Sequence, residues 1–189
     1  MPLPEPVERS CSHKRALQYQ SYLRDDALWD IEARITDSKY FDYYDLTRGR
    51  LVPGDFIHDI AARVTINDVM DVTDIVYSMD AVPYRFCQGG GSNISRLIGA
   101  NLSRGWRRSL NEALGGTCGC THLKEMLFGV ATVAFQTLSS HRENRSSESS
   151  MTTGDITERP FYIDSCYSMA VDSPVVRQFY PRFYEKGKQ

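Results

Sequence analysis

Nowhere does this chain carry an apolar run approaching the roughly 20 residues of a membrane-spanning helix. Nor does it carry an excess of positive charge: 22 Lys and Arg stand against 24 Asp and Glu. Membrane and nucleic-acid partners are therefore not expected. The opening residues, Met1-Pro2-Leu3-Pro4-Glu5-Pro6, have neither the charged start nor the apolar core of a secretory signal. Cysteine is sparse: five residues, an odd number without the density of a disulfide scaffold. Free or metal-bound thiols in a reducing cytoplasm are the simplest expectation. Histidine is sparser, with four. What is plentiful is ordinary core material. At 41% hydrophobic over 189 residues, the chain can form one domain with appended tails.

The scarce residues cluster. Within Gly115-Gly116-Thr117-Cys118-Gly119-Cys120-Thr121-His122-Leu123-Lys124-Glu125, two thiols and an imidazole fall within five positions. An apolar helical pattern follows (Leu123, Leu127, Val130, Ala134), with Thr121 as its N-cap. A helix start stabilises a thiolate through its N–H groups and dipole. Cys120 and His122 thus suit a metal-ligand pair, or a nucleophile with its base. The bland alternative is a buried apolar cysteine beside a hydrogen-bonded core histidine.

Upstream the pattern is strand-like. Residues 14–37 read as two extended runs separated by a turn at Arg24-Asp25-Asp26. In the second run Trp29, Ile31, Ala33 and Ile35 share one face, and Leu28, Asp30, Glu32 and Arg34 share the other. Runs 56–67 and 69–80 follow, joined at Asn67-Asp68 as a hairpin. Asp25, Asp26, Asp30 and Glu32 are either solvated charges or a carboxylate rim over a pocket. After Pro83 and Cys87 comes Gln88-Gly89-Gly90-Gly91, a loop with Ser92 as helix N-cap. A short helix follows, then one from about Leu102 to Leu114 with Trp106 in the core, and a long one to about Ser140. The organisation expected is an extended arm over 1–13 and a core with the Cys/His site over 14–140. A mobile polar linker over 141–154 and a tail packing on the core over 155–189 complete it.

Several stretches together resemble a bacterial family known as a domain of unknown function, number 2889. They are 24–32, Pro53-Gly54-Asp55-Phe56-Ile57-His58-Asp59, Pro83-Tyr84-Arg85-Phe86-Cys87, Gly105-Trp106, Gly119 to Leu123, and 176–184. This resemblance implies a catabolic enzyme of bacteria that degrade aromatic compounds. More distantly, the order hairpin, cysteine, helix, Cys/His pair and long helix resembles the NifU-like iron–sulfur scaffold fold. That resemblance implies an α+β architecture, a small antiparallel sheet with helices packed on one face, plus a C-terminal tail. It also implies the ligand set Cys87, Cys120, His122 and His58. The family's His-Cys pair is Cys-Thr-His here, and no cysteine lies near His58. A mixed Cys/His set suits zinc or another divalent ion better than an iron–sulfur cluster.

The leading expectation is a metal-dependent lyase of retro-aldol type, releasing an aldehyde from a small aromatic substrate. In it Cys87, Cys120 and His122 bind the ion, and His58 is a fourth ligand or the general base. Asp25, Asp26, Asp30 or Asp80 would supply supporting carboxylates. The alternatives are a zinc or iron–sulfur carrier without catalysis, and a metal-free Cys/His nucleophile. A homo-oligomer is possible. Cys166 stands in reserve as a ligand; Cys118 is left out, and His13 and His141 are excluded as residents of mobile segments.

Overall fold

A computed structural model describes residues 3–147, 157–160 and 162–187. Six strands come first: β1 (His13–Leu23), β2 (Trp29–Lys39), β3 (Tyr43–Asp45), β4 (Gly49–Leu51), β5 (Phe56–Ile66) and β6 (Val72–Ala81). Helices α1 (Trp106–Leu114), α2 (Thr121–Ser147) and α3 (Pro174–Phe179) follow, with short 3-10 turns between. The architecture is α+β. Four strands form an antiparallel sheet in the order β1-β2-β5-β6, and β3 and β4 form a separate hairpin.

The alternation of side chains explains the sheet. Trp29, Ile31, Ala33 and Ile35 of β2 are buried, as are Ile60, Ala62, Val64 and Ile66 of β5. They join one core with Leu110 and Leu114 of α1 and Leu123, Leu127, Val130 and Ala134 of α2. Each large apolar side chain so buried contributes roughly 1.5–3 kcal/mol. Trp106 belongs to this core at 4% exposure, and its indole N–H donates to Leu127 O at 2.9 Å. The opposite face of the sheet carries Glu32 ion-paired to Arg63 and Arg34 ion-paired to Asp59.

The structure departs from the sequence reading in several places, among them the start of α2, where Cys120 and not Thr121 precedes the first helical residue. The connection after β5 spans five residues, with Met70 in the left-handed region, instead of a tight hairpin at Asn67-Asp68. The glycine run is not a loop before a helix but the end of a 3-10 turn over Arg85–Gly91, which Ser92 terminates. The next helix begins at Trp106, not Leu102, because Gly105 turns the chain at φ +73°. And α2 runs to Ser147, seven residues past its expected end and into the expected linker; residues 148–154 lie outside the described residues. Among the described residues no helix is long and apolar enough to cross a membrane.

The chain divides into two units, with the boundary between Leu138 and Ser139. The second has its own small cluster of Ile163, Val171 and Val176 beside α3, whose Ser173 hydroxyl accepts the Val176 N–H.

α2 lies close over β1 at one point. Tyr19 Oη donates to Met126 O at 2.8 Å, and a Cβ added at Gly129 would lie 2.3 Å from that hydroxyl. Gly129→Ala should therefore displace Tyr19 and cost about 1–3 kcal/mol. In a Tyr19→Phe background the cost should shrink, because the nearest clashing atom is gone, and not vanish, because ring carbon Cζ stays at 2.6 Å. Denaturant melts of the four proteins check this; equal costs in both backgrounds would contradict it.

Candidate active site at the end of the sheet

The register of three strands places Arg15 of β1, Asp37 of β2 and His58 of β5 in one row across the sheet. Asp37 continues the core-facing phase of Trp29, Ile31, Ala33 and Ile35, and a register shift follows it at Ser38. Its carboxylate is therefore carried into the interior and is 1% exposed. Such burial is costly unless the charge is paired and hydrogen-bonded, and this one is. Oδ1 accepts Arg15 Nε at 2.8 Å and bonds His13 Nε2 at 3.0 Å. Oδ2 accepts Arg15 Nη2 at 2.8 Å and bonds His58 Nδ1 at 3.0 Å. Arg15 spans onward to Glu125 of α2, 3.1 Å from Nη1.

Burial alone would raise the Asp37 pKa. The hydrogen bonds and charge of Arg15, with His13 and His58, outweigh it and hold the value at about 2. An ionised carboxylate only accepts, so the proton in each histidine contact belongs to the histidine. His58 carries its proton on Nδ1 and keeps a lone pair on Nε2 when neutral.

His122 stands in the first turn of α2, its ring 4.0 Å from the His58 ring centre to centre, tilted by 37°. Burial lowers the pKa of both imidazoles. For His58, repulsion from His122 adds to the lowering and Asp37 opposes it. For His122, repulsion from Arg15 adds, and Asp37 and Glu125 oppose. Both rings are thus biased to the neutral form. Cys120 Sγ lies 3.9 Å from His122 Nδ1.

The 3-10 turn over 85–91 is seated on the start of α2. Cys120 N–H donates to Gly90 O at 2.8 Å, and a Cβ at Gly90 would meet Cys120 Cβ at 2.9 Å. Residues three apart in a 3-10 turn eclipse one another, so Cys87 lies on the edge of the turn that Gly90 presents.

Of the residues singled out in the sequence, His58 and His122 are brought together and Cys120 touches His122. Among the described residues, one group of potential metal donors lies within 4.8 Å throughout, and it is Asp37, His58 and His122; Cys87 and Cys120 are outside it. Asp25 is exposed in the turn after β1. Asp30 is seven residues before Asp37 on the same strand, about 23 Å away. It accepts from Thr65 Oγ1 at 2.7 Å on the sheet's outer face. Asp80 is exposed near the end of β6. Cys166 is exposed within the second unit. Asp37, Arg15 and His13 escaped the sequence reading. The signal for Asp37 was available: a charge in phase with four apolar residues. His13, set aside as part of a mobile arm, is the first residue of β1 and bonds Asp37.

Two surfaces flank these residues differently. At the site's end of the sheet, Tyr40 and Phe41 follow β2 and Tyr44 sits in the β3–β4 hairpin, all exposed. That hairpin is tied to β5 by Arg48, whose guanidinium donates to Phe56 O at 2.9 Å and Ile57 O at 3.2 Å. On the outer face lies a hollow of about 430 Å³ among Gln18, Glu32, Arg34, Ala61 and Arg63. Both arginines there are already ion-paired, and neither imidazole lines it.

The lowered histidine pKa values give a pH dependence to stability. The unfolded chain takes up these protons near pH 6.5, before the folded one does. The contribution is complete above that value and is lost as pH falls through the lowered ones. Thermal melts of metal-free protein should therefore shift to lower temperature as pH drops from about 7 to about 5. His58→Gln should flatten the dependence; a midpoint that rises over this range would contradict it.

A family model described as "Protein of unknown function (DUF2889)" matches residues 13–136. No curated protein and no solved structure matches the chain.

Proposed function

The chain belongs to this DUF2889 family, and because the matched segment contains the whole Arg15–Asp37–His58–His122 cluster, we propose that the cluster is the active centre of a metal-dependent carbon–carbon lyase. The reaction is of retro-aldol type, on a small aromatic substrate. One observation carries the reading: His58 Nδ1 is bonded to a buried, ionised carboxylate, Asp37. That arrangement fixes the tautomer of a general base and stabilises the imidazolium it becomes. The carboxylate stands behind His58 and not behind Cys120, which favours His58 as base over Cys120 as nucleophile.

By type the cysteine and histidine donors suit zinc, although Cys87, Cys120 and His122 do not all lie within 4.8 Å of one another. Asp37 is no ligand, since its two oxygens already serve Arg15, His13 and His58. Cys120 and His122 are in contact, and the turn bearing Cys87 is seated on Cys120 through Gly90. Cys87, Cys120 and His122 would hold the ion, a two-thiolate, one-imidazole set that leaves a position open. When bound, the ion would polarise a substrate oxygen.

The chain's own residues do the rest. His58 Nε2 takes the proton of the substrate hydroxyl. The O–H electron pair becomes the aldehyde C=O as the carbon–carbon bond breaks. The released pair passes to the carbon beside the substrate's carbonyl as an enolate, which recovers the proton from His58. Arg15 keeps Asp37 ionised throughout, and Tyr40, Phe41 and Tyr44 offer faces to an arene.

The test mixes zinc-loaded protein with aryl-substituted β-hydroxy ketones and traps released aldehyde with a hydrazine reagent. Aldehyde should form in step with the shortened aryl ketone and stop on chelation. Zinc-loaded protein that leaves every member of the panel intact would overturn the lyase reading.

A further inference from the structure

The sheet ends on one side in β1, whose outer edge pairs with no strand among the described residues. β1 is an edge strand of eleven residues, and all but Ala16 and Tyr19 are exposed. Leu17, Tyr22 and Leu23 are 43%, 46% and 52% exposed. The opposite edge differs: Val72 at the start of β6 spends its N–H on Ala100 O and its carbonyl on Gly99 N–H, both at 2.8 Å.

Two hydrogen bonds fix which backbone groups of β1 face away from β2. Tyr40 N–H reaches Ser12 O, and Arg24 N–H reaches Leu28 O. Both continue the register in which His13 opposes Lys39 and Leu23 opposes Trp29. In an antiparallel pair both backbone groups of a residue point to the same side, alternating along the strand. Even-numbered residues of β1 are therefore spent on β2. His13, Arg15, Leu17, Tyr19, Ser21 and Leu23 turn their N–H and C=O outward.

At one end of this edge the Cys11 thiol donates to His13 O at 3.7 Å, and among the described residues no further hydrogen bond reaches its outward backbone groups. The register against β2 runs without a shift, whereas the other two pairings each contain shifts. The strand has no proline and no bulge, the usual protections of an open edge. Its charges, Lys14 and Arg15, sit at one end, and it contains no acid. A parallel copy would set each charge on its like. An antiparallel copy centred on Gln18 instead opposes Lys14 to Tyr22, Arg15 to Ser21 and Leu17 to Tyr19. The outward residues then pair with outward residues along the full strand, and no like charges meet.

We propose that β1 pairs antiparallel with β1 of a second copy of this chain, about a twofold axis at Gln18, joining two four-stranded sheets into one. The self-complementary register is what selects a second copy over a different partner.

The test is the mass of the full chain in solution, by light scattering and sedimentation, for wild type and three variants. Wild type should be a dimer. Leu17→Pro removes an outward N–H that the fold does not use, so it should be monomeric with an unchanged circular dichroism spectrum. Gln18→Lys and Gln18→Glu each set like charges across the axis and should raise the dissociation constant by about tenfold or more. Mixing the two should restore a dimer containing one of each. If Leu17→Pro does not fold, the Gln18 pair decides alone. A monomeric wild type would overturn the proposal. So would a dimer indifferent to the Gln18 charges, which would place its interface elsewhere.

Discussion

Asp37→Ala should destabilise the first unit by about 3–5 kcal/mol. The carboxylate is 1% exposed and bonds Arg15 through both oxygens while also holding His13 and His58. Removing it strands the partners. Arg15 keeps a third of its side chain in water, and Glu125 still faces it, so the lower part of that range is expected. His58 Nδ1 loses its acceptor and the ring loses its fixed orientation. Asp37→Asn should cost nearly as much: it keeps the volume but presents an NH₂ to donors. Urea or guanidinium unfolding measures both. A cost under about 1 kcal/mol for Asp37→Ala, the level of a surface ion pair, would mean the cluster is not the anchor described.

The second large effect is on turnover. His58→Gln keeps polarity and approximate size but cannot take a proton. It should lower kcat for aldehyde release by about 10²–10⁴-fold, the usual worth of a positioned base. Because Cys87, Cys120 and His122 are untouched, bound zinc should persist. Cys120→Ala makes the contrasting case, losing the ion and with it the activity. If His58→Gln loses zinc in parallel with turnover, His58 is a ligand and the base lies elsewhere.

The sheet was legible because its code is simple. Trp29, Ile31, Ala33 and Ile35 alternate with polar residues, and burial on one face makes that alternation necessary. The Cys120–His122 helix start was legible from its glycines and its apolar periodicity. The β3–β4 hairpin was not, because three residues per strand are too few for a period. It is held instead by Asp45, whose carboxylate accepts the backbone N–H groups of Thr47 and Arg48. Asp37 was hidden by its own charge: in sequence an acid after Ile35 and Thr36 reads as a strand end. Only the cross-strand register, which brings Arg15 and His58 to either side of it, shows why an ionised group can be buried there. Asp25 and Asp30 looked equally plausible in sequence, since a strand pattern does not say which end of a sheet a helix start will reach. Here α2 reaches the Asp37 end, through the Arg15–Glu125 pair.

The site rests on Asp37 holding His58 as a neutral base with its Nε2 unprotonated. The most direct measurement is the nitrogen-15 chemical shifts of the His58 ring in metal-free protein near pH 7, assigned by comparison with His58→Gln. Nδ1 should be protonated and Nε2 unprotonated. A proton on Nε2 with Nδ1 bare, or a fully protonated ring, would contradict this.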